Sequence, residues 1–459
     1  MKKYDVLVIG SGAGMNIASD ALSSGFKVAI VDKGPLGGTC LNLGCIPSKL
    51  LIFPADRVTE IENSKKFGIE TNITKIHFRE IMERMRSSIA EDRNQIREGI
   101  KHAKNLDFYE GIGHFVEDYT IKVDGKKIMG EKVFIVAGAR PFIPNVKGLE
   151  TVDYLTNETI LELDELPKSL VILGGGYIAC EFSHFLAAMG SEVTIIQRNM
   201  KLVANEEPEI SDLLLKEMSK RMKVYVNTEV IEVSKEGNLI KVIGKNKKTG
   251  KTIEVIAEKI LVASGRVPNS DLLEVHNSGI ETNERGFIKV NEYLETSKKN
   301  IWAFGDVIGK YMLRHSANKE AVYAWHNSLH QKKVPMDYDA MPHAIFSYPE
   351  IASVGMTERE ARNKHKILVG FARYNSVAKG IAMLEEDSFA KAIVNKEDNK
   401  ILGFHIIGPY ASILIQEVIN VMANNMEMNA IFKGTHIHPA LTELIPSTFS
   451  NLMESKDNF

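Results

Sequence analysis

At 459 residues, 44% apolar and 25% charged, the chain has an ordinary globular composition and length for roughly three domains of about 150 residues. Its 57 basic and 59 acidic side chains leave a net charge of −2, which gives no electrostatic reason to bind nucleic acid and no basic amphipathic face for a membrane surface. No apolar run approaches the ~20 residues of a spanning helix, and three cysteines are too few for a secreted disulfide scaffold, so a cytoplasmic protein is expected.

Tyr4 to Ile9 predicts a strand. Its apolar part is too short for a signal-peptide core and runs straight into glycines. Gly10-Ser11-Gly12-Ala13-Gly14 follows, then a helix to Ser24, Gly25 and a second strand over Lys27–Val31. That is a strand–helix–strand unit of the size of half a dinucleotide-binding fold. In such a turn the first glycine bends the chain and the second lets backbone approach a diphosphate. Gly10 and Gly12 fill these places. The third belongs to Gly or Ala but is Met15, with Gly14 one position earlier to relieve crowding. Asp32, twenty residues after Gly12, stands where an acid would bond a ribose. A lone glycine pair also occurs in simple tight turns; strand, helix and acid in register favour the nucleotide reading.

Gly37-Gly38-Thr39-Cys40-Leu41-Asn42-Leu43-Gly44-Cys45-Ile46-Pro47-Ser48-Lys49 comes next. Residues five apart in a regular helix have Cα atoms roughly 8–9 Å apart, whereas a disulfide wants about 4.4–6.8 Å. A bridge between Cys40 and Cys45 therefore needs a distorted turn, which Gly44 can supply. A strained, accessible bridge is easily reduced, and Lys49 can stabilise a thiolate. The bland alternative is two cysteines packed as small hydrophobes.

Phe78–Gly99 reads as a long charged helix, and Lys132–Val136 as a strand before Gly138. A second unit runs from Leu170–Leu173 through Gly174-Gly175-Gly176 and a helix to Met189, then the strand Glu192–Ile196. Two such units suggest two dinucleotides. Where an NAD enzyme carries an acid after the second strand, this chain has Gln197 and then Arg198. A neutral residue followed by a guanidinium favours a 2′-phosphate, hence NADPH over NADH, unless Arg198 is merely a solvated loop residue. Cys180 lies alone on a helical face and is read as structural. Residues 222–263 alternate short strands and turns. Ala303-Phe304-Gly305-Asp306 ends a strand in an acid, which alone could be a turn residue. After the connector Lys332-Lys333-Val334-Pro335, helices are expected over 358–364 and 411–423, with strands near 391–394 and 401–407. His436-Ile437-His438-Pro439-Ala440-Leu441-Thr442-Glu443 places a histidine five residues before a carboxylate that can fix its tautomer. No metal-ligand set is read from the sequence.

The cysteine segment resembles the redox motif of class I pyridine nucleotide–disulfide oxidoreductases, a likeness that covers essentially the whole chain. Ala303–Asp306 resembles that family's second FAD motif. Val136-Ala137-Gly138 and Ala263-Ser264-Gly265-Arg266 resemble its two crossover segments, the first without the usual threonine. The resemblance implies that Cys40 is the interchange thiol and Cys45 the thiol that forms a charge-transfer complex with the flavin. It also implies Lys49 near the flavin, paired with Glu181. Asp306 would bond the ribityl chain, and Tyr177 would cover the nicotinamide pocket, although apolar packing would also account for it. His438 and Glu443 would reach the active site of the partner subunit in a homodimer, with His436 the lesser candidate.

The implied fold is α/β: two Rossmann-like domains, for FAD and for NAD(P), plus a C-terminal α+β dimerisation domain. The expected boundaries are residues 1–147 for the first part of the FAD domain, 148–268 for the NAD(P) domain, 269–335 for the second part of the FAD domain and 336–459 for dimerisation. The implied cofactors are FAD and NADPH or NADH, and the substrate is a small or lipoyl disulfide. A dihydrolipoyl dehydrogenase is the default member, with no lipoyl domain expected ahead of the first strand. Gln197, Met15, Glu181–His184 and His315–Ala321 resemble the mycothione reductase branch instead. The tail 451–459 has no cysteine pair, which speaks against mercuric reductase and the large thioredoxin reductases. The arginine-rich substrate positions of glutathione reductase are missing. Two other classes stay open: an NAD(P)H oxidase or quinone reductase with an idle disulfide, and a docking subunit of a 2-oxoacid dehydrogenase complex.

Overall fold

Strand β1 (Lys2–Ile9) is buried on both faces from Val6 to Ile9, the pattern of a central strand in a sheet covered on both sides. The computed structural model describes residues 1–454; the last five residues of the expected dimerisation segment lie outside them. Chain order continues with α1 (Gly14–Ser23), β2 (Val28–Asp32), α2 (Gly38–Asn42), α3 (Cys45–Glu62), α4 (Phe78–His102), β3 (Leu106–Glu110), β4 (His114–Glu117), β5 (Thr120–Val123) and β6 (Lys126–Ile135). These strands form one sheet in the order β3-β2-β1-β6-β5-β4. The pairs among β3, β2, β1 and β6 are parallel. Helix α4 packs through Phe78, Met82, Met85 and Ile89, the spacing of one apolar stripe. It runs almost one turn beyond the Gly99 expected.

β6 is longer than the apolar run 132–136 that announced it. Its first half pairs antiparallel with β5, so exposed residues such as Lys126 and Lys127 are strand residues too. A short strand β7 (Ala139–Pro141) then leads out of this sheet. The chain builds β8 (Ser169–Leu173), α5 (Tyr177–Met189), β9 (Glu192–Ile196), α6 (Pro208–Met218), β10 (Lys223–Tyr225), an antiparallel meander of β11 (Thr228–Glu236), β12 (Leu239–Asn246) and β13 (Thr252–Ala257), and β14 (Lys259–Val262). The order β10-β9-β8-β14 is parallel throughout. β15 (Arg266–Pro268) pairs with β7, so the outgoing and returning segments cross side by side. β16 (Ile301–Ala303) adds to the second half of β6, and α7 (Arg314–Leu329) follows. The chain thus re-enters its first sheet.

The last segment is antiparallel: β17 (Pro342–Ile345), β18 (Ile351–Gly355), the short helix α8 (Glu358–Arg362), β19 (Ile367–Arg373), β20 (Phe389–Asn395), β21 (Ile401–Ile407) and β22 (Met453–Glu454), in the order β17-β18-β21-β20-β19-β22. The helix expected over 411–423 is two helices, Ala411–Leu414 and Gln416–Ala423. Ile415 between them keeps helical angles (φ −65°, ψ −20°), so the helix is interrupted and not ended. One buried ion cluster ties this sheet to the second one. Lys391 of β20 is 3% exposed, and its Nζ donates to Glu207 and Glu209 at the start of α6, at 2.7 and 3.0 Å, and lies 2.7 Å from Glu358 of α8. Burial alone would lower this ammonium's pKa; the charge of Glu207 and the bonds to Glu207 and Glu358 raise it instead.

Candidate active site

The two glycine turns and the cysteine segment open onto one cleft of about 1300 Å³. Each proposed cofactor and thiol residue except Gly14 lines it; His438 and Glu443 do not. A Cβ on Gly10 (φ +107°) would stand 2.2 Å from the Val136 carbonyl oxygen, so no side chain fits there. A Cβ on Gly38 would stand 2.7 Å from the Gly12 Cα, and one on Gly14 2.7 Å from a Val8 methyl. Gly14 is therefore the helix–strand packing position that Met15 could not be. Asp32 accepts the Ser11 N–H at 2.5 Å and the Gly34 N–H at 2.8 Å. Its carboxylate braces the turn and faces the cleft. The floor of this turn is bare backbone at the N-terminus of α1, the surface a diphosphate needs.

Cys40 lies in α2 and Cys45 begins α3. Gly44 between them has φ −144° and ψ −107°, and a Cβ there would stand 3.1 Å from the Thr39 carbonyl oxygen. This is the distorted turn that a pair five apart requires. Both are free thiols here and hydrogen-bond to each other. That bond, with Lys49 close by, lowers Cys45 to about 7 against the effect of burial. The same bond, burial and the Cys45 charge push Cys40 up. Lys49 Nζ donates to both Glu181 oxygens at 2.9 and 3.0 Å and lies over the Phe346 ring at 4.5 Å. Glu181 is buried in α5 and also accepts the Phe346 N–H at 3.1 Å. Two residues 132 positions apart thus share one ion pair beside the thiols.

Asp306 sits in the turn after β16, with its carboxyl pKa raised by burial despite Arg266. The Arg266 Nε lies 3.6 Å away, beyond hydrogen-bond reach, and has no other partner. An acid so placed suits a hydroxyl ligand. Beneath it, Glu320 of α7 accepts the Gly305 N–H at 2.7 Å and the Tyr338 hydroxyl at 2.9 Å. Burial pushes Glu320 up to about 7. Sequence reasoning missed Glu320. Its one signal was helical spacing with Ser316, Ala317, Ala321 and Ala324, all on the buried face. The crossover glycines serve the crossing strands: Gly138 O accepts from Asn269 N–H at 3.1 Å and Gly265 O from Phe142 N–H at 2.9 Å.

At the second turn, Gly174 has φ +120°, and its Cβ would meet the Ala263 carbonyl at 2.2 Å. Gly176 is the N-cap of α5, and Tyr177, its first residue, is 41% exposed at the cleft. Gln197 is buried, with its Cγ and Cδ 2.9 Å from where a Gly175 Cβ would stand. Its amide donates to the Lys201 carbonyl at 3.3 Å. Arg198 is exposed beside it. Cys180 is fully buried, as its reading as a packing residue expected.

His438 is not among the residues that line its own chain's cleft. Its Nδ1 bonds Glu443 at 2.9 Å, and the ring is 73% exposed. Glu443 also accepts the Ala440 N–H; the His438 bond and that N–H hold its carboxyl below the usual carboxylate range. His436 bonds Glu417 instead, at 2.9 Å. Among the described residues, the one acidic group spaced for a metal is Glu207, Glu209 and Glu358, the three already gathered around Lys391.

The sequence profile of the pyridine nucleotide-disulphide oxidoreductases matches residues 4–321, and that of their dimerisation domain residues 341–448. The chain is 33% identical over 465 residues to the mycothione reductase of Mycobacterium tuberculosis, covering 98% of this chain and 100% of that one. It is 31% identical to the dihydrolipoyl dehydrogenase of Chlamydia trachomatis, covering 96% and 95%. With the mercuric reductase of Staphylococcus aureus it shares 31% over 90% of this chain and 76% of that one. Among solved structures, the HOCl-induced flavoprotein disulfide reductase RclA of Escherichia coli superposes with a TM-score of 0.86 at 28% identity, over 97% of this chain and 99% of that one.

Proposed function

The chain belongs to the pyridine nucleotide-disulphide oxidoreductase family, and from that premise we propose that it moves electrons between NAD(P)H, FAD, the Cys40–Cys45 pair and an external disulfide of the lipoyl type. It is an FAD-dependent dithiol–disulfide oxidoreductase that uses a nicotinamide dinucleotide. The observation that carries the reading is the thiol pair beside the Lys49–Glu181 ion pair, in the cleft onto which both glycine turns open. FAD, when bound, supplies the two-electron relay between nicotinamide and thiols. Gly10, Gly12 and the N-terminus of α1 would hold its diphosphate, Asp32 its ribose and Asp306 its ribityl chain. The bond from Cys40 and the Lys49 charge bring Cys45 down to about 7, so that a large share of it is thiolate at neutrality. Cys40 attacks the external disulfide, breaking its S–S bond, releasing one half as thiolate and forming a mixed disulfide with the other; the Cys45 thiolate then attacks the Cys40 sulfur, closing the Cys40–Cys45 disulfide and releasing the second half as thiolate. His438 of the partner subunit, oriented by Glu443, takes the thiol proton and returns it to the leaving thiolate. The dimerisation domain supports a homodimer. No helix of the described residues is long and apolar enough to cross a membrane; the cytoplasmic assignment rests on a redox pair in a cysteine-poor chain.

One observation favours a second reading, an NADPH-dependent reductase of a low-molecular-weight thiol disulfide. Gln197 replaces the ribose-binding acid and Arg198 stands exposed for a 2′-phosphate. A panel of disulfides, lipoamide and low-molecular-weight thiol disulfides included, assayed with NADPH and NADH, separates the two. NADPH is expected to be preferred, and Arg198→Ala to weaken NADPH use alone, by about 1.5–3 kcal/mol for a lost charge-assisted bond. Equal loss with both cofactors would remove Arg198 from the site. Turnover with quinone or oxygen but with no disulfide would overturn the function itself.

A further inference from the structure

Arg314 is the first residue of α7 and lines the cleft half-buried. Among the described residues no carboxylate lies within ion-pair distance of its guanidinium. An Arg in a cleft without an acid partner is a cation waiting for an anion. Its Nη1 stands 3.8 Å from the point a Cβ would occupy on Gly12, the glycine whose bare backbone admits a diphosphate. Gly38 closes the other side of Gly12 with no side chain of its own. Helix α1 starts there without an acidic residue in its first turn and without a side-chain cap, and Asp32 is taken up by the Ser11 and Gly34 N–H groups, so the N–H groups of the first turn remain open to an anion. Asn16 of α1 donates to Asn318 of α7 at 3.2 Å. That bond fixes the two helix starts, and so Arg314, relative to the glycine turn.

We propose that Arg314 is a cofactor ligand of this enzyme, its guanidinium pairing with the FAD diphosphate over Gly12 and closing the side of the turn that the glycines leave open. The assignment rests on the flavin reading above. The Cys45 bond and burial push the Cys40 sulfur up, and the Arg314 charge works against that rise, so a negatively charged disulfide substrate is the competing anion. The floor beside Arg314 decides between them. It is glycine backbone and a helix start, which an oxyanion fits and a disulfide bound for a sulfur atom does not need.

Arg314→Met and Arg314→Lys holoenzymes test this through FAD release on dilution, followed by flavin fluorescence, and through the ³¹P resonances of the bound FAD. Arg314→Met is expected to release FAD about tenfold faster or more, the scale of a lost charge-assisted bond, and to shift the diphosphate signals. Arg314→Lys should fall between it and the parent, because a point charge replaces part of a planar fork. FAD held as long as in the parent would overturn the proposal, all the more if the KM for a dianionic aromatic disulfide alone rises. Faster release with unchanged ³¹P signals would assign the effect to packing and overturn it equally. A parent protein that binds no flavin would defeat the flavin reading instead.

Discussion

Lys49 serves a carboxylate and a thiol at once. Its ammonium bonds both oxygens of Glu181 and helps the Cys40 hydrogen bond to lower Cys45 to about 7. The thiolate is the deprotonated form, so in the reduced enzyme its signature should be present above about pH 7 and fade as pH falls through that value. Lys49→Met removes the charge and leaves the bond from Cys40, so the midpoint should move upward. The long-wavelength band of the two-electron-reduced enzyme, titrated against pH, checks this. A midpoint unchanged in Lys49→Met would take Lys49 out of the thiol's environment. Cys45→Ser should lose the band while Cys40→Ser keeps it. At this scale the sequence was legible only where motif and chemistry are contiguous. The Cys40–Cys45 spacing demanded a distorted turn, and Gly44 supplies it. The Lys49–Glu181 pair spans 132 positions, and spacing carries no sign of it; only resemblance joined the two.

Helix α7 shows what an element adds beyond its residues. Its buried face is small side chains with one acid among them, Glu320. Glu320 holds the Gly305 N–H and so the turn that carries Asp306. Its folded pKa is about 7, raised by burial, so folding favours the protonated form. The stability this group contributes is therefore full below the ordinary carboxylate value and is lost as pH rises through about 7. Glu320→Gln imitates the neutral acid and should flatten that loss between about pH 5 and 8 in chemical denaturation. A parent and variant with parallel pH profiles would show that Glu320 does not titrate in this range. Elements with clean periods, such as β1, α4 and the second glycine unit, were readable from sequence to within a few residues. The early half of β6 was not, because its lysines hide a strand whose partner is β5. The end of β16 was readable from the Gly305–Asp306 turn that follows it, but its pairing with the second half of β6 was not.

Across the whole molecule, each chain carries its thiols in one place and an exposed His438 in another. If His438 serves the second subunit, two inactive variants should repair each other. Equal amounts of Cys40→Ser and His438→Ala chains, allowed to exchange subunits, give one intact site in each mixed dimer. Random pairing should then restore about a quarter of parental activity. Proven exchange with no recovery would place the base on the same chain. His438→Ala alone should slow thiol exchange by roughly 10²–10⁴ while nicotinamide reduction of the flavin stays near normal. The Lys391 cluster also belongs to this scale, since its acids come from two parts of the chain and its ammonium from one. A buried charge stripped of its partners is expensive, about 3–5 kcal/mol. For the natural history of the chain this means that a nucleotide module gained by recombination must bring its own acids to this seam. A transplanted module without acids at positions 207 and 209 would leave Lys391 buried with Glu358 as its remaining counter-charge. Substitutions at these four positions are thus tied to one another across the seam.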